Sequence, residues 1–448
     1  MKKALVISYY FPPVGIGYSL RALKFAKYFP RYQWEPYILT ETPKNYFFKD
    51  SSLIDELDDK HIHICRTYRR SSKNLLNKIK LHSLPNERSR KLFRNISLIR
   101  KLPDLQKSWI KKAVKLGSEI IEREKIDILF TTAPPFSDFI IAAELKAKYG
   151  MPMVVDYQDS WLYSAANFYA TPYHSFRNRK MEQEVLRVSD EVITVNRRIK
   201  ELIISEYEYI KHDDINIINH GFDPEDYEGI PQSQLPPKTR MRFTHNGAFF
   251  DTATPKYFFE ALSVVFKKRP ELRGKIEACF LGVFSKENLK LIKKNNISDV
   301  IFNPGYVNHK DSIKYMLSSD VLWFTVGTGD GSEVISPVKL TEYFGARKPI
   351  LACVPDGAAK QLLRGYDSFK IAEPDNPQEI AEMIIEYYDL YEKRMIPAAN
   401  EEVVKKFDID KLTYQLVRYF EFLIDINPQF GIRGKEMIRQ SINSSSGM

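Results

Sequence analysis

The sequence predicts an α/β fold with two domains, each built on a parallel β-sheet covered by helices. The first observation is a repeated alternation of short apolar runs with amphipathic stretches, which is typical of βαβ units. The second is the length of 448 residues, which suits two domains of ordinary size. The third is the polar stretch 231–238, whose three prolines predict a linker between two such alternating regions.

The N-terminal region begins with one complete βαβ unit. Residues 3–8 predict a buried strand, residues 20–28 a helix, and residues 34–39 a second strand. The alternation resumes further along, with predicted strands at 126–131, 153–156, 191–195 and 215–218 and predicted helices at 137–149, 182–187 and 198–207. Because helices separate successive strands, we expect these strands to pair in parallel.

The C-terminal region repeats this pattern and ends in a helix. Its predicted strands lie at 242–246, 275–281, 300–303, 321–325 and 349–352, with helices at 257–267 and 410–424. We expect four segments along the chain. These are an N-terminal domain 1–225 with a basic helical insertion at about 66–115, a C-terminal domain 226–408, a final helix within 409–430, and a disordered tail 431–448.

The composition indicates a reducing compartment and no membrane span. The three cysteines, Cys65, Cys279 and Cys353, are far apart and form no metal-binding pattern. The apolar run after Met1 ends at two prolines without a small-residue cleavage site, so it predicts a strand rather than a signal peptide. No apolar stretch approaches the roughly 18 residues that a transmembrane helix needs. We expect a cytoplasmic protein, with peripheral association at the inner face of the cell membrane left open.

Positive charge is concentrated in one segment. The formal net charge is +10, whereas residues 66–115 contain 16 Lys and Arg against two acidic residues, a net of +14 that leaves the remainder at −4. This segment is either a solvated basic face, a surface for anionic membranes, or a nucleic-acid site. We favour the membrane surface, since each basic residue near it adds about 1 kcal/mol. No nucleic-acid-binding module is recognisable, so we expect no nucleic-acid partner.

The most informative motif begins at Ser336. Ser336 is expected to cap a helix whose first position is Pro337, and Gly345 is expected to end that helix early. The free N–H groups at such a helix start favour an anion, and Glu342 further along can accept from sugar hydroxyls. A ligand with phosphate at one end and hydroxyls at the other is a sugar nucleotide, so the motif predicts a site for one. The alternative is a capped surface helix with a solvated Glu342.

Other candidate residues follow predicted strands, whose carboxyl ends host ligands in open α/β sheets. Gly15 and Gly17 either let the backbone approach a ligand or form a plain turn. Asp159 either contacts acceptor hydroxyls or caps the next turn. Glycine turns also follow two strands of the second region, at Gly247 and at Gly305-Tyr306-Val307. The sequence has no His-Glu-x-x-His, Walker or Gly-x-Ser-x-Gly motif, which argues against metalloenzyme, kinase and hydrolase chemistry.

Several stretches together resemble the GT-B glycosyltransferases of family four, which make bacterial surface polysaccharides. The loop 10–17 with Arg21 is similar to the start of that family. So are the stretches 132–137, 156–161 and 219–223, while 339–343 with 348–350 resembles its donor-binding helix. The resemblance extends to about residue 424, and the number and order of these stretches make it specific.

The resemblance implies two Rossmann-like domains whose parallel sheets face a central cleft, with the last helix crossing back onto the N-terminal domain. The N-terminal domain is expected to bind the acceptor and the C-terminal domain the nucleotide sugar. The implied reaction transfers a sugar from a UDP- or GDP-linked donor to a glycan or lipid-linked acceptor in bacterial polysaccharide biosynthesis. The family usually retains the anomeric configuration, and we expect neither a metal ion nor another cofactor.

The resemblance also implies roles for individual residues. Glu342 is expected to hold the ribose hydroxyls, and the turn 305–307 is expected to lie near the base. The diphosphate is expected at the backbone N–H groups of Ser336, Val338 and Lys339, and the remaining donor contacts at Gly247, Gly15 and Gly17. The expected catalytic residues are Glu333, Asp159 and Lys339.

The sequence departs from the family pattern at three points. Family members often pair two Glu with seven residues between them, which would place the first at residue 334, whereas this chain has Glu333. The Arg and Lys that commonly grip phosphates after the first strand of the second domain are absent in register, and Lys339 is a better substitute than Lys256. The loop 131–137 also lacks the His that some relatives have there. Two alternatives stay open: a GT-B sugar-nucleotide epimerase and a non-catalytic scaffold of a polysaccharide assembly complex.

Overall fold

The computed structural model describes residues 1–43, 48–57, 60–67, 95, 101–165, 167–249 and 253–425. The described chain divides into two compact units. The first contains the described residues up to His220 together with Ile409–Asp425, and the second contains the described residues of Gly221–Asp408. Most of the predicted basic insertion 66–115, the end of the segment 409–430 and the whole predicted tail 431–448 lie outside the described residues.

The first unit is built on a seven-stranded sheet with the strand order β3-β2-β1-β4-β5-β6-β7. All of its neighbouring strands pair in parallel. The strands are β1 (Lys2–Ile7), β2 (Trp34–Glu41), β3 (His63–Thr67), β4 (Ile128–Ala133), β5 (Met153–Tyr157), β6 (Glu191–Thr194) and β7 (Ile215–Ile217). Helices described up to β7 are α1 (Gly17–Tyr28), α2 (Ile110–Glu124), α3 (Ser137–Tyr149), α4 (Pro172–Val188) and α5 (Arg197–Glu206).

The second unit is built on a six-stranded parallel sheet with the order β10-β9-β8-β11-β12-β13. Its strands are β8 (Met241–Asn246), β9 (Ile276–Leu281), β10 (Ile301–Gly305), β11 (Val321–Thr325), β12 (Ile350–Cys353) and β13 (Phe369–Ala372). Its described helices are α6 (Lys256–Lys268), α7 (Lys286–Lys294), α8 (His309–Ser318), α9 (Val338–Ala346), α10 (Ala358–Leu362), α11 (Pro377–Glu392) and α12 (Glu401–Val404). The predicted α/β class with two parallel sheets is confirmed.

The central strands of both sheets are continuous apolar runs because helices cover both faces of a parallel sheet. Leu5 and Val6 on β1 are fully buried, as are Leu322 and Phe324 on β11. The helices direct their apolar faces toward these strands, and within the described ranges none is long and apolar enough to cross a bilayer.

A last helix, α13 (Ile409–Asp425), belongs to the first unit although it follows the second unit along the chain. Its Phe420 ring is fully buried, with its centroid 5.2 Å from that of Trp34 and 5.6 Å from those of Phe29 and Phe130. At the start of the helix, the Tyr32 hydroxyl donates to the Asp410 carboxylate over 2.7 Å. This helix therefore completes the core of the unit that the N-terminal half forms.

Both ends of α9 differ from the prediction. The N-cap residue is Pro337, with φ −67° and ψ 128°, and Ser336 does not cap the helix as predicted. The helix also continues through Gly345 and ends one residue later, where Arg347 has a left-handed φ of 53°. Gly345 is explained by packing instead, because a Cβ at this position would lie 2.6 Å from a ring carbon of Phe222. The glycine that predicts a helix end is thus a point of close contact within the helix.

Candidate active site

Helix α9 packs beside the carboxyl-terminal parts of β8 and β11. Tyr343 fixes this position, since its hydroxyl donates to the Trp323 carbonyl over 3.0 Å and accepts from the Asn246 N–H over 2.9 Å. Tyr343 is fully buried. The carboxyl ends of parallel strands are where open α/β sheets bind ligands. The predicted anion site is therefore at the ligand-binding edge of the second sheet.

Ser336 lies two residues before the start of α9 and has a buried hydroxyl without a partner among the described residues. The residue is 8% exposed, and its Oγ makes no hydrogen bond to any described residue. Leaving a buried polar group unsatisfied costs about 1–3 kcal/mol, so such a group needs an explanation. The N–H groups of Val338 and Lys339 also have no acceptor within the helix, because they belong to its first turn. These three groups can all donate to one anion.

Lys339 places a cation beside the same helix start. Its Nζ lies 3.3 Å from His245 Nε2, and it would lie 3.3 Å from a Cβ at Gly247. Gly247 has a φ of 109°, which favours glycine, and the absence of a Cβ leaves the space beside the ammonium group open. Burial lowers the pKa of Lys339 to about 8, a shift that the charge of Glu342 partly opposes. At neutral pH the side chain is therefore mostly charged.

His245 is the neutral partner of Lys339. The imidazole is 1% exposed, stacks on Phe249 at a centroid distance of 4.3 Å, and contacts Trp323. Its Nδ1 lies 3.1 Å from the Trp323 carbonyl oxygen, so Nδ1 donates there and Nε2 accepts from Lys339. Burial, followed by the charge of Lys339, holds the pKa of His245 well below its usual range. His245 thus orients the ammonium group without adding charge.

Glu342 lies one turn further along α9 and is held at both its main chain and its carboxylate. Its carbonyl accepts from the Tyr227 hydroxyl over 2.7 Å, and its Oε1 lies 2.9 Å from His309 Nε2. The other ring nitrogen of His309, Nδ1, lies 4.0 Å from the Asp226 carboxylate. The side chains of Glu342 and His309 are about a tenth exposed. The carboxylate that is predicted to hold ribose hydroxyls is therefore oriented by a histidine.

The predicted base-binding turn leads directly to that histidine. Gly305 ends β10 with a φ of 83°, Tyr306 is 38% exposed, and Val307 is half-buried. The next residue, Asn308, caps α8 by accepting a main-chain N–H over 2.8 Å, and His309 is the first residue of that helix. The turn and Glu342 are thus connected through the start of α8.

Glu333 lies in the loop between β11 and α9, and its side chain is exposed. The main chain of this residue is tightly packed, since a Cβ at Gly357 would lie 2.6 Å from the Glu333 carbonyl oxygen. The same loop begins with three glycines alternating with two polar residues at 327–331, and Gly329 and Gly331 have φ values of 136° and 78°. The structure therefore positions the backbone at Glu333 and leaves its carboxylate open to solvent.

In the first unit, the predicted residues follow the carboxyl ends of β1 and β5. Gly15 donates its N–H to a main-chain carbonyl over 3.1 Å, and Gly17 is the first residue of α1; neither has a left-handed φ. The Asp159 carboxylate accepts from the Ser160 N–H over 2.8 Å and from the Ser164 hydroxyl over 2.7 Å. These two bonds stabilise the turn that follows β5.

A buried ion pair joins α1 to the ends of three strands of the first unit. Arg21 is 3% exposed and binds fully buried Asp156 through two hydrogen bonds of 2.7 and 2.8 Å. Its guanidinium also donates to the carbonyls of Ile218 and Asn219, over 2.9 and 2.8 Å, and Thr132 donates to Asp156 over 2.7 Å. A bidentate pair of this kind is geometrically specific. Arg21 therefore fixes α1 against β4, β5 and the segment after β7.

Two histidines that contact the predicted residues, His245 and His309, were not predicted from the sequence. His245 lies near the end of the predicted strand 242–246, and His309 follows the turn 305–307 by two residues. Their position after parallel strands is the signal that could have found them, because such strand ends gather ligand-binding residues. The alternating glycines at 327–331 gave a similar signal before α9.

Two family models match the chain, one in each half. The model "Glycosyltransferase Family 4" matches residues 21–226, and the model "Glycosyl transferases group 1" matches residues 226–402. These ranges include the Arg21 ion pair in the first unit and the Lys339 and Glu342 positions in the second. No curated protein matches the sequence significantly.

Solved structures share the fold over nearly the whole chain. A glycosyltransferase from Rickettsia africae has 15% identity and a TM-score of 0.63, covering 95% of this chain and 99% of its own. A trehalose-6-phosphate protein from E. coli, bound with UDP-2-fluoro glucose, has 13% identity, a TM-score of 0.63, and coverage of 94% and 99%. A Listeria monocytogenes protein, provisionally named a UDP-N-acetylglucosamine 2-epimerase, has 11% identity, a TM-score of 0.57, and coverage of 93% and 94%.

Together, the two parallel-sheet units and the family matches define an enzyme, a glycosyltransferase of the GT-B fold. Within that class, the chain belongs to the family four-like glycosyltransferases. Its N-terminal half matches the family 4 domain and its C-terminal half the group 1 domain. The predicted resemblance is confirmed at this level.

Proposed function

We propose that this glycosyltransferase moves a sugar from a UDP- or GDP-linked donor to a glycan or lipid-linked acceptor in bacterial polysaccharide biosynthesis. The observation that carries the proposal is the group of donors at the start of α9. It comprises the buried hydroxyl of Ser336, the N–H groups of Val338 and Lys339, and the Lys339 ammonium group. A diphosphate would accept from all of them, whereas a neutral ligand would leave the cation unbalanced.

This arrangement suits the departure of a nucleoside diphosphate. The bond between the anomeric carbon and the phosphate oxygen breaks, and negative charge develops on the leaving phosphate. Donors aimed at developing charge usually make the largest single contribution to catalysis. In the proposed reaction, Lys339 and the α9 N–H groups supply this stabilisation without a metal ion. The acceptor oxygen bonds to the anomeric carbon on the same face, and its proton passes to the leaving phosphate, so configuration is retained.

The remaining predicted residues fit around this centre as further proposals. We assign Glu342 to the ribose hydroxyls, the turn 305–307 to the base, and Gly247 to backbone approach beside the diphosphate. The exposed carboxylate of Glu333 is assigned to hydroxyls of the transferred sugar, since Glu333 precedes the start of α9 at Val338 by five residues. In the first unit, we assign Gly15 and Gly17 to donor contacts and Asp159 to the turn that receives the acceptor.

The nucleotide and the location are finer parts of the proposal. The E. coli structure bound with UDP-2-fluoro glucose supports UDP as the first nucleotide to test. We also propose a cytoplasmic location with association at an anionic membrane surface through residues 66–115. The support is the net charge of +14 in that segment, since basic residues are attracted to anionic lipid headgroups.

The family matches favour a transferase over the two alternatives. The fold itself does not separate a transferase from an epimerase, because one fold hosts several activities, and the Listeria protein with this fold is provisionally named an epimerase. Both matching sequence models, however, are those of glycosyltransferases. Release of a free epimerised sugar nucleotide without any acceptor would favour the epimerase, and absence of donor binding would favour the scaffold.

The experiment that tests the donor assignment is a thermal-shift panel of UDP-, GDP- and ADP-sugars on the wild type and on Glu342→Ala. A bound donor raises the melting temperature by mass action. We expect one nucleotide class to stabilise the wild type, and Glu342→Ala to weaken its affinity by about tenfold, because bonds to a charged acceptor are lost. Glu382→Ala is the matched control, since Glu382 is a surface residue on α11 paired with Lys268. Unchanged donor affinity in Glu342→Ala would reject the role of Glu342.

A second prediction concerns the unpaired hydroxyl of Ser336. Without donor, Ser336→Ala should raise the free energy of unfolding by about 1 kcal/mol, because it removes an unsatisfied buried group. With donor, the same change should weaken binding by about fivefold, since one bond to the diphosphate is lost. Calorimetric titration and chemical denaturation measure the two effects.

Ser319→Ala provides the opposite control. Ser319 is 1% exposed, and its hydroxyl bonds to the Thr244 hydroxyl and the Tyr315 carbonyl over 2.5 and 2.7 Å. Its removal should destabilise the fold and leave donor affinity unchanged. If Ser336→Ala behaves like Ser319→Ala, the hydroxyl of Ser336 has no role in donor binding.

A further inference from the structure

The first unit contains a cavity of about 350 Å³ at the carboxyl edge of its sheet. Tyr9 follows β1 and Glu41 ends β2, and both line the cavity. The other lining residues come from the basic segment, before and within α2, and are Lys101, Leu105, Gln106, Ser108, Trp109 and Lys112. The volume lies in the range of small-molecule sites. The cavity therefore combines a ligand-binding sheet edge with the unusually basic segment.

The wall of this cavity is preformed. The Asp104 carboxylate accepts from the Ser137 N–H and hydroxyl over 2.7 and 2.6 Å, which fixes residues 101–109 to the start of α3. The indole N–H of Trp109 donates to the Thr67 hydroxyl over 2.9 Å, and its ring packs edge-on against Tyr9. Trp109 is 2% exposed. A ligand would therefore meet a fixed surface, which lowers the entropy cost of binding.

The polar groups of the cavity differ in charge and in burial. Lys101 and Lys112 are exposed, and neither forms a salt bridge with another described residue. Glu41 is 7% exposed and can accept hydrogen bonds from ligand hydroxyls. Gln106 lines the same cavity and adds an amide that can donate or accept. Two ammonium groups attract an anion, while the carboxylate and amide suit hydroxyls.

We propose that this cavity binds an acceptor saccharide that carries a negatively charged group, either a phosphate or a carboxylate. Lys101 and Lys112 hold the anion, and Glu41 and Gln106 hold the sugar hydroxyls. This inference rests on the proposed function, because it names the class of acceptor for the same enzyme. It also gives two lysines of the basic segment a role other than membrane binding. Lys101 and Lys112 line a concave site, which a flat membrane surface cannot fill.

The test compares binding of glucose, glucose 6-phosphate, glucuronate and inorganic phosphate to the full chain by calorimetry, with UDP present. The site variant is Lys101→Ala/Lys112→Ala. Its matched control is Lys111→Ala/Lys115→Ala, which removes the same charge from exposed positions of α2 that do not line the cavity. Thermal unfolding of each variant confirms that it is folded.

We expect at least one charged sugar to bind the wild type about tenfold more tightly than glucose. The site variant should lose this preference and the control variant should keep it. A preference for glucose 6-phosphate assigns the anion as phosphate, and a preference for glucuronate assigns it as carboxylate. No preference in the wild type, equal loss in both variants, or inorganic phosphate binding as tightly as the sugar phosphate would overturn the proposal.

Two further measurements separate this proposal from others. Binding to phosphatidylglycerol vesicles that falls in the site variant, with the sugar preference intact, would assign the lysines to the membrane and overturn the cavity assignment. Donor affinity from the thermal-shift panel should be equal in the site and control variants. A wild type that binds no nucleotide sugar contradicts the proposed function, whereas intact donor binding with no charged-sugar preference contradicts only the acceptor class.

Discussion

Replacing Lys339 with Met should lower kcat/KM for sugar transfer by about 100- to 1,000-fold, the usual cost of losing one donor that stabilises transition-state charge. The methionine keeps most of the apolar stem and removes the ammonium group that lies over Gly247. The cation then no longer balances the leaving diphosphate. Steady-state kinetics with the donor from the thermal-shift panel measures the effect.

The pKa of Lys339 determines how donor binding should depend on pH. Burial lowers the pKa of Lys339 to about 8, so the charged form is present below that pH and is lost as the pH rises through it. Donor affinity should therefore fall above about pH 8. A bound diphosphate favours the charged form, so binding near pH 9 should take up a proton. Calorimetry in buffers with different ionisation enthalpies detects this uptake.

Two variants serve as controls for the effects expected of Lys339→Met. Lys256→Met removes a lysine at the start of α6 whose Nζ lies 4.5 Å from the Tyr257 ring centroid, and it should leave kcat/KM unchanged. Lys339→Arg keeps its charge at high pH and should flatten the loss of affinity above pH 8. If Lys339→Met retains wild-type kcat/KM while Lys256→Met is impaired, the phosphate contact belongs to Lys256.

The second large effect is expected for Arg21→Met, which should lower the free energy of unfolding of the first unit by about 3–5 kcal/mol. The reason is that Asp156 would remain as an uncompensated charge at a fully buried position. Urea denaturation followed by tryptophan fluorescence measures this unit, because Trp34, Trp109 and Trp161 belong to it and only Trp323 belongs to the other.

Arg31→Met is the matched control for Arg21. Arg31 also pairs with an aspartate, Asp410, over 3.3 Å, but its side chain is 48% exposed. Exposed pairs contribute under about 1 kcal/mol, so this variant should remain close to the wild type. The double variant Arg21→Met/Asp156→Leu should recover part of the loss, since removing both charges relieves the burial cost. Equal destabilisation by Arg21→Met and Arg31→Met would contradict the special role of the buried pair.

The fold was largely predictable because central parallel strands leave a simple pattern. Strands β1 and β11 are continuous apolar runs, and the ranges 3–8 and 321–325 identify them directly. Strands β3 and β13 escaped prediction for a physical reason. They lie at sheet edges, most of their residues are only half-buried, and their sequences mix polar and apolar residues without a clear run.

Within the candidate site, the sequence predicted only the residues that lie close to one another along the chain. The spacing from Ser336 to Lys339 and Glu342 places three polar residues on or beside one short helix, which sequence can show. Their partners cannot be read this way, because His245 is 94 residues and His309 is 33 residues away in sequence. The capping prediction failed for a related reason. Ser336 looks like a cap locally, but the helix begins after Pro337 and leaves the hydroxyl without a partner.

The place of α13 has a consequence for how the chain is made. The first unit needs Phe420 to cover Phe29, Trp34 and Phe130, yet the ribosome adds that phenylalanine only after the whole second unit. During synthesis, part of the core of the seven-stranded unit therefore stays uncovered until α13 is made. The segment Gly221–Asp408 is a single stretch of chain and can fold before then. In this enzyme, the unit whose synthesis begins first is therefore the unit whose core is completed last.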